Sequence, residues 1–236
     1  MSTAAVELTD VKFSWPAQRP TLDIPHWQVE QAGTMLLRGA SGSGKSTLLS
    51  LLAGVNTPQQ GKIELLGTDL ARLSARNRDK FRADHIGYIF QQFNLLPYLS
   101  ALDNVLLGVQ FSKQRRQRLR DPAEKTANDY LTRLGLSQRQ QHQPAAELSV
   151  GQQQRVAAAR ALIGAPELLI ADEPTSALDA DRRDRFINLL LELSNANGTT
   201  VIFVTHDASL AKQFQFCTEL SDINRVTSSL AEADDA

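Results

Sequence analysis

Residues 39–47, GASGSGKST, satisfy G-x-x-x-x-G-K-[ST] and stand between an apolar stretch, MLLR, and a helix-like one, TLLSLLAG. These residue types at this spacing suit phosphate binding. Glycines let backbone N–H groups close around a β-phosphate at a helix N-terminus, where unpaired donors and the helix dipole favour negative charge. Gly39, Ala40, Ser41, Gly42, Ser43 and Gly44 are then the cradle. Lys45 reaches the β- and γ-phosphates, the Ser46 hydroxyl is placed for Mg²⁺, and Thr47 completes the run. By composition alone the four fixed positions arise in roughly one chain of this length in a hundred, so a Gly/Ser-rich surface turn is the lesser reading.

A second group of reactive residues closes the run LLIADEPTSALD at residues 168–179. Four apolar residues of a buried strand end in Asp172 and Glu173. Successive strand residues point to opposite faces, so the two carboxylates are expected to take different tasks. One holds a metal through water and the other addresses a nucleophile. Burying both beside phosphates is costly unless Mg²⁺ and hydrogen bonds compensate, which argues against a merely structural pair.

The elements that must position these groups are legible as alternating β-type and helical runs, the pattern of an α/β protein with a largely parallel sheet. Strands are expected at residues 35–38, 86–90, 168–171 and 201–204, ending respectively at the Gly/Ser cluster, at Gln91 and Gln92, at Asp172, and at Thr205 and His206. Each apolar strand thus delivers polar residues at its C-terminal end, where ligands bind in open α/β sheets. Between Leu95 and Ala165 the strand signals fade, and the segment reads as an inserted helical lobe with an amphipathic run over 123–134 and another helix opening near Gly151. The cluster KQRRQRLR at 113–120 alternates Arg and Gln without aromatic residues and is expected to be a solvated helix face. The final AEADDA is expected to be an acidic, frayed tail.

With 25 Lys and Arg against 26 Asp and Glu, the 236-residue chain carries a net charge of −1, so no global field draws it to nucleic acid or anionic lipid. At 42% hydrophobic and 22% charged it has an ordinary globular composition. No apolar run reaches the roughly 18 to 20 residues of a spanning helix. The start, MSTAAVELTD, lacks a basic n-region and a long apolar h-region, and Cys217 is the only cysteine, so a cytoplasmic location is expected.

The run ELSVGQQQRVAAARAL at 147–162 closely resembles the signature of ATP-binding cassette ATPases, LSGGQ followed by a Gln/Arg-rich helix. The resemblance extends over nearly the whole chain: an aromatic in FSWP, the phosphate loop, FQ at Gln91, the signature, DEPTSALD, and VTHD ending at Asp207. Val150 departs from the pattern, since glycine is usual there. The resemblance implies one nucleotide-binding domain over 1–236, with an N-terminal antiparallel β portion, a core of about 1–91 and 165–236, and a helical lobe of about 92–164. It implies ATP and Mg²⁺ as cofactors and a head-to-tail dimer around two ATP, in which Ser149, Gly151 and Gln152 of one copy face the γ-phosphate held by the other. Trp15 resembles the aromatic that stacks on adenine, with Phe13 and Trp27 as competitors. Gln91 resembles the hinge glutamine that meets Mg²⁺ and water, with Gln92 a close rival. Asp172 looks like the Mg²⁺-site carboxylate, Glu173 the general base, Asp179 the aspartate that passes information across the dimer, and His206 the switch histidine at the γ-phosphate. Hydrolysis rests on Glu173, His206, Lys45 and Gln91, and the metal site on Ser46, Gln91 and Asp172.

A cassette without its own spans most often drives a separate integral permease, which places it peripherally at the membrane's cytoplasmic face. Residues 91–105, QQFNLLPYLSALDNV, resemble the lipoprotein-release and macrolide-export branch, including ATPases that serve FtsX-like permeases. The chain stops soon after VTHD, leaving no room for the C-terminal regulatory domains of some importers. A soluble cassette, such as one supporting iron-sulfur assembly or DNA repair, is the alternative. The absence of NKxD disfavours a GTPase, and no nucleic-acid partner is expected.

Overall fold

Period-2 alternation in the first thirty residues makes a strand pair. In the computed structural model, which describes residues 4–17, 19–175 and 178–226, β1 (Ala4–Ser14) runs antiparallel to β2 (Pro20–Glu30). Val6, Leu8, Val11 and Phe13 oppose Val29, Trp27, Ile24 and Leu22, and all eight are buried. Asp10, at φ 50°, lies where the buried set of β1 changes parity, and β2 changes parity opposite it. β3 (Thr34–Arg38) leads through the phosphate loop into α1 (Lys45–Leu52). β4 (Gln60–Leu65) and β5 (Thr68–Asp69) complete an antiparallel sheet ordered β2-β1-β4-β5.

The chain continues through α2 (Ala75–His85), β6 (Ile86–Ile89), α3 (Ala101–Gln110), α4 (Lys113–Gln117), α5 (Ala123–Arg133), α6 (Gln138–Gln141) and α7 (Val150–Leu162). It ends with β7 (Leu168–Asp172), α8 (Ala180–Ala196), β8 (Thr200–Thr205), β9 (Phe216–Glu219) and α9 (Leu220–Ile223). The chain divides into two compact units, one of residues 1–79 with 202–236 and one of residues 80–201.

In the first unit β3 pairs parallel with β9, Met35 opposite Phe216 through Arg38 opposite Glu219. Asn224, just after α9, fastens to β2 by accepting from Asp23 N at 2.8 Å and donating to Thr21 O at 3.1 Å. In the second unit β6 pairs parallel with β7, Ile86 opposite Leu168 through Ile89 opposite Ala171. Helices occupy the expected lobe, and α7 packs on α3, α5 and α8 with its apolar face of Val156, Ala157, Ala158, Ala159, Ala161 and Leu162. The fold is α/β, with parallel strand pairs, an N-terminal antiparallel sheet and the helical lobe.

The expected strands are present, with Phe90 falling outside β6. The expectation of a solvated face over 113–120 holds for Lys113, Arg116, Gln117 and Arg120, which are exposed, and is corrected at Arg115 and Arg118. Arg115 is buried, and its guanidinium donates to Ala161 O at 2.7 Å and to Ile163 O. Burial lowers its pKa to about 10, with Arg118 adding to the effect. Arg118 donates to both carboxylate oxygens of Glu167 and to Ala165 O. Two of the four arginines therefore tie the short α4 region to the turn that feeds β7, because carbonyls left free at the end of α7 need donors. The final AEADDA, together with Ser176 and Ala177 of the carboxylate run, lies outside the described residues.

Candidate functional site

The phosphate loop belongs to the first unit. Its turn depends on Gly44, the residue before α1, whose φ of 103° is costly for any side chain; a Cβ there would lie 3.1 Å from Leu22 Cδ2 and 3.3 Å from Thr21 O. Lys45 opens α1, is buried, and donates to Gly39 O at 2.8 Å and Ala40 O at 2.9 Å. An ammonium held over the loop's mouth is a stored positive charge for an anion. Ser43 Oγ is buried without a hydrogen-bond partner among the described residues, a polar atom that a phosphate oxygen would satisfy. Ala40, Ser41, Gly42 and Ser46 are exposed at the mouth, while Gly39 and Thr47 are buried.

Trp15 stands over the same helix. Its Nε1 donates to Thr47 Oγ1 at 3.2 Å, its ring meets Phe13 edge-on at 5.1 Å, and 36% of its surface is exposed. The two competing aromatics are core residues: Phe13 is buried, and Trp27 is buried with Nε1 3.4 Å from Thr218 Oγ1. Of the three, only Trp15 offers a ring to solvent. His206 is exposed directly after β8, and the next residue, Asp207, caps a short 3-10 turn by accepting from Ser209 N at 2.9 Å.

The second unit holds the carboxylates, the glutamine and the signature. Parallel pairing of β6 with β7 sets Ile89 beside Ala171, so Gln91 and Asp172 leave neighbouring strands at the same end. Asp172 is the last residue of β7, but Glu173 has φ 43° and is outside the strand. The alternation of the pleat therefore does not extend to Glu173, which leaves the strand end through a left-handed turn. A left-handed non-glycine residue at a strand end is costly and typical of functional sites. Burial, then the charge of Asp172, push the Tyr88 hydroxyl well above its usual range.

Ser149 caps α7 with a reciprocal box in which Gln152 Oε1 accepts from Ser149 N at 2.8 Å. Ser149 and Val150 are exposed, so Val150 presents its branched side chain at the surface of the helix opening. Gln153 braces the approach by donating to Ala145 O and Leu148 O, each at 3.0 Å. Asp179 caps α8 by accepting from Arg182 N at 3.0 Å and is exposed.

One residue escaped the sequence reading. Arg160, near the C-terminal end of α7, donates to Asn94 O at 2.7 Å and Phe93 O at 2.5 Å. Both acceptor residues are left-handed, Phe93 at φ 59° and Asn94 at φ 46°. The signature helix therefore grips the turn that follows Gln91. The signal available in sequence was an arginine within an otherwise apolar helical face, which burial would make costly without acceptors.

Comparison with known proteins agrees with this geometry. The family described as ABC transporter matches residues 22–176. The chain is 44% identical over 192 residues to the uncharacterized ABC transporter ATP-binding protein YbbA of Escherichia coli (strain K12), covering 81% of this chain and 82% of that one. It is 40% identical over 243 residues to the macrolide export ATP-binding/permease protein MacB of Rhodopseudomonas palustris (strain BisB18), covering 99% of this chain but spanning only 36% of that protein. Its fold superposes with a TM-score of 0.79 on a dimeric post-hydrolysis state of the ATP-binding cassette MJ0796 bound to ADP and Pi, at 32% identity over 91% of this chain and 93% of that one. The match over most of the chain, together with the phosphate loop, carboxylate strand and capped signature helix, shows that the chain belongs to the ABC transporter family, as its ATP-binding cassette.

Proposed function

We propose that the chain binds ATP with Mg²⁺ between two head-to-tail copies of itself, and that hydrolysis drives a separate integral membrane permease of the FtsX-like kind, by mechanotransmission or export, at the membrane's cytoplasmic face. The observation that carries the nucleotide reading is the phosphate loop, where a buried ammonium and a partnerless buried hydroxyl converge on one mouth. Ser46, Gln91 and Asp172 supply only oxygen donors, the set that Mg²⁺ takes. Bound Mg²⁺ would neutralise charge on the β- and γ-phosphates.

The chain's own residues do the rest. Lys45 exchanges its carbonyl partners for phosphate oxygens, and loop N–H groups hold the β-phosphate. Trp15 offers its face to the base. Glu173 accepts the proton of the attacking water, an effect typically worth 10²- to 10⁴-fold. His206 steadies charge on the γ-phosphate, and Ser149, Gly151 and Gln152 close the site from the second copy through the positive end of α7. Asp179 links the two copies. ATP then acts as the glue of the dimer and its hydrolysis as the release.

Among the described residues no helix is long and apolar enough to cross a membrane, so in this reading the spans belong to the permease. The MacB relative's name joins an ATP-binding part to a permease, and YbbA's describes a transporter's ATP-binding protein. Affinity purification of the chain from detergent extract tests the assignment. Copurification of a multi-span permease, with ATPase activity lost in Lys45→Ala, is expected. Recovery of soluble partners alone would replace it with the non-membrane cassette reading.

A further inference from the structure

Within the second unit, four arginines line one cavity of about 520 Å³: Arg133 at the end of α5, Arg155 on α7, and Arg182 and Arg185 on α8. No aspartate or glutamate lines it. Glu192 pairs with Arg133 at 3.0 Å and Asp179 with Arg182 at 3.3 Å, both from outside the lining. Arg155 donates to Leu134 O at 3.2 Å and Arg185 to Asp181 O at 3.1 Å, and neither has a carboxylate partner among the described residues. The Arg155 guanidinium is seated against Gly135, where a Cβ would stand 3.2 Å from it. Two guanidinium groups without a carboxylate partner thus share one cavity with two that are paired from outside it, a local surplus of positive charge, in a chain of net charge −1, that an entering anion would offset. Leu134, Phe186 and Leu189 complete the lining with apolar side chains.

The chemistry selects the ligand. Planar guanidinium forks match a multiply charged tetrahedral oxyanion, whose several oxygens can be shared among them. The cavity shares Arg155, Arg182 and Phe186 with a neighbouring one of about 280 Å³ that Ser149 and Gly151 also line. We propose that the arginine cavity is a secondary site for soluble phosphate anions, including the one released by hydrolysis at the adjoining signature surface. The second part rests on the functional reading above. The anion-binding part rests on the cavity alone.

The test uses the full chain as Lys45→Ala, which takes the ammonium from the phosphate loop and so weakens it as a competing anion site. Inorganic phosphate is titrated at constant ionic strength against chloride, following arginine side-chain Nε–H resonances. The expected result is saturable shifts at Arg155 and Arg185 with a Kd of ~1–10 mM. Arg133→Gln and Arg185→Gln, each on the Lys45→Ala background with unchanged circular dichroism, should weaken binding about fivefold or more, while Arg72→Gln, remote in sequence and exposed, should not. Shifts reproduced by chloride, or unaffected by Arg185→Gln, would overturn the site. Binding to phosphatidylglycerol vesicles that depends on Arg185, without soluble phosphate binding, would overturn the soluble anion as its ligand. No nucleotide is present, so a wild-type chain that failed to hydrolyse ATP would defeat the functional reading and leave the titration intact.

Discussion

Replacing Arg160 with alanine removes both donors from the carbonyls of Phe93 and Asn94. Hydrogen bonds from a charged group contribute about 1.5–3 kcal/mol each, and the partly exposed setting at this turn lets water repay roughly half of that. The turn therefore loses about 2 kcal/mol of local stability, which corresponds to about 30-fold more frequent opening. The strain adds direction to the effect. Phe93 and Asn94 are both held left-handed, a conformation that costs about 1 kcal/mol or more for Phe93, so the released turn relaxes instead of staying in place. Amide exchange followed by mass spectrometry should show faster exchange over residues 90–96, where Phe93 N bonds Phe90 O at 2.9 Å and Leu96 N bonds Asn104 Oδ1 at 2.8 Å. The β6–β7 pair should be unchanged. Arg160→Lys keeps charge but not the fork, and should exchange at an intermediate rate. Unchanged protection of residues 90–96 in Arg160→Ala would refute the grip of α7 on this turn.

Two further outcomes follow from single residues. Trp15→Ala should weaken nucleotide binding by about 1–3 kcal/mol, the usual worth of base-aromatic stacking, while Trp15→Phe restores most of it; calorimetry with ADP measures both, and equal affinities would move the stacking role elsewhere. Burial pushes the Glu167 carboxyl up, but hydrogen bonds from His85 and Arg118, with their charges, outweigh it and hold the group down at about 2. A folded pKa below the unfolded value gives stability that is present above the ordinary carboxylate range and lost as pH falls toward 2. The Tm deficit of Glu167→Gln should accordingly be full near neutral pH, shrink below about pH 4.5 and vanish near 2, and a deficit independent of pH would contradict the ion-pair account.

The parts of the site that follow local rules were legible in sequence. A Gly-rich loop between a strand and a helix has one way to fold, and the four apolar runs became β3, β6, β7 and β8 with shifts of about one residue. The parts decided by long-range partners were not. Residues 113–120 carry a polar pattern that a solvated helix would share, and only the carbonyls of Ala161 and Ile163, some 46 and 48 positions away, make Arg115 an interior residue. The same holds for Arg160, whose acceptors lie 66 and 67 positions upstream. Glu173 shows a third limit: strand periodicity extends naturally to it, yet a left-handed turn intervenes one residue earlier than the pattern suggests. Trp15, just past the end of β1, differs from the strand residues Phe13 and Trp27 in being exposed, a difference that the residue types do not announce.

In the proposed cycle two copies close around ATP, and Glu173 removes the proton whose loss lets them part. Sedimentation of purified Glu173→Gln with and without Mg²⁺-ATP tests it most directly, with Ser149→Ala added to one copy as the companion. A monomer without nucleotide, a stable dimer holding two ATP with it, turnover reduced by 10²-fold or more, and loss of one ATP site in the mixed dimer are expected. A Glu173→Gln chain that stays monomeric with bound ATP, or turns over ATP at the wild-type rate, would contradict it.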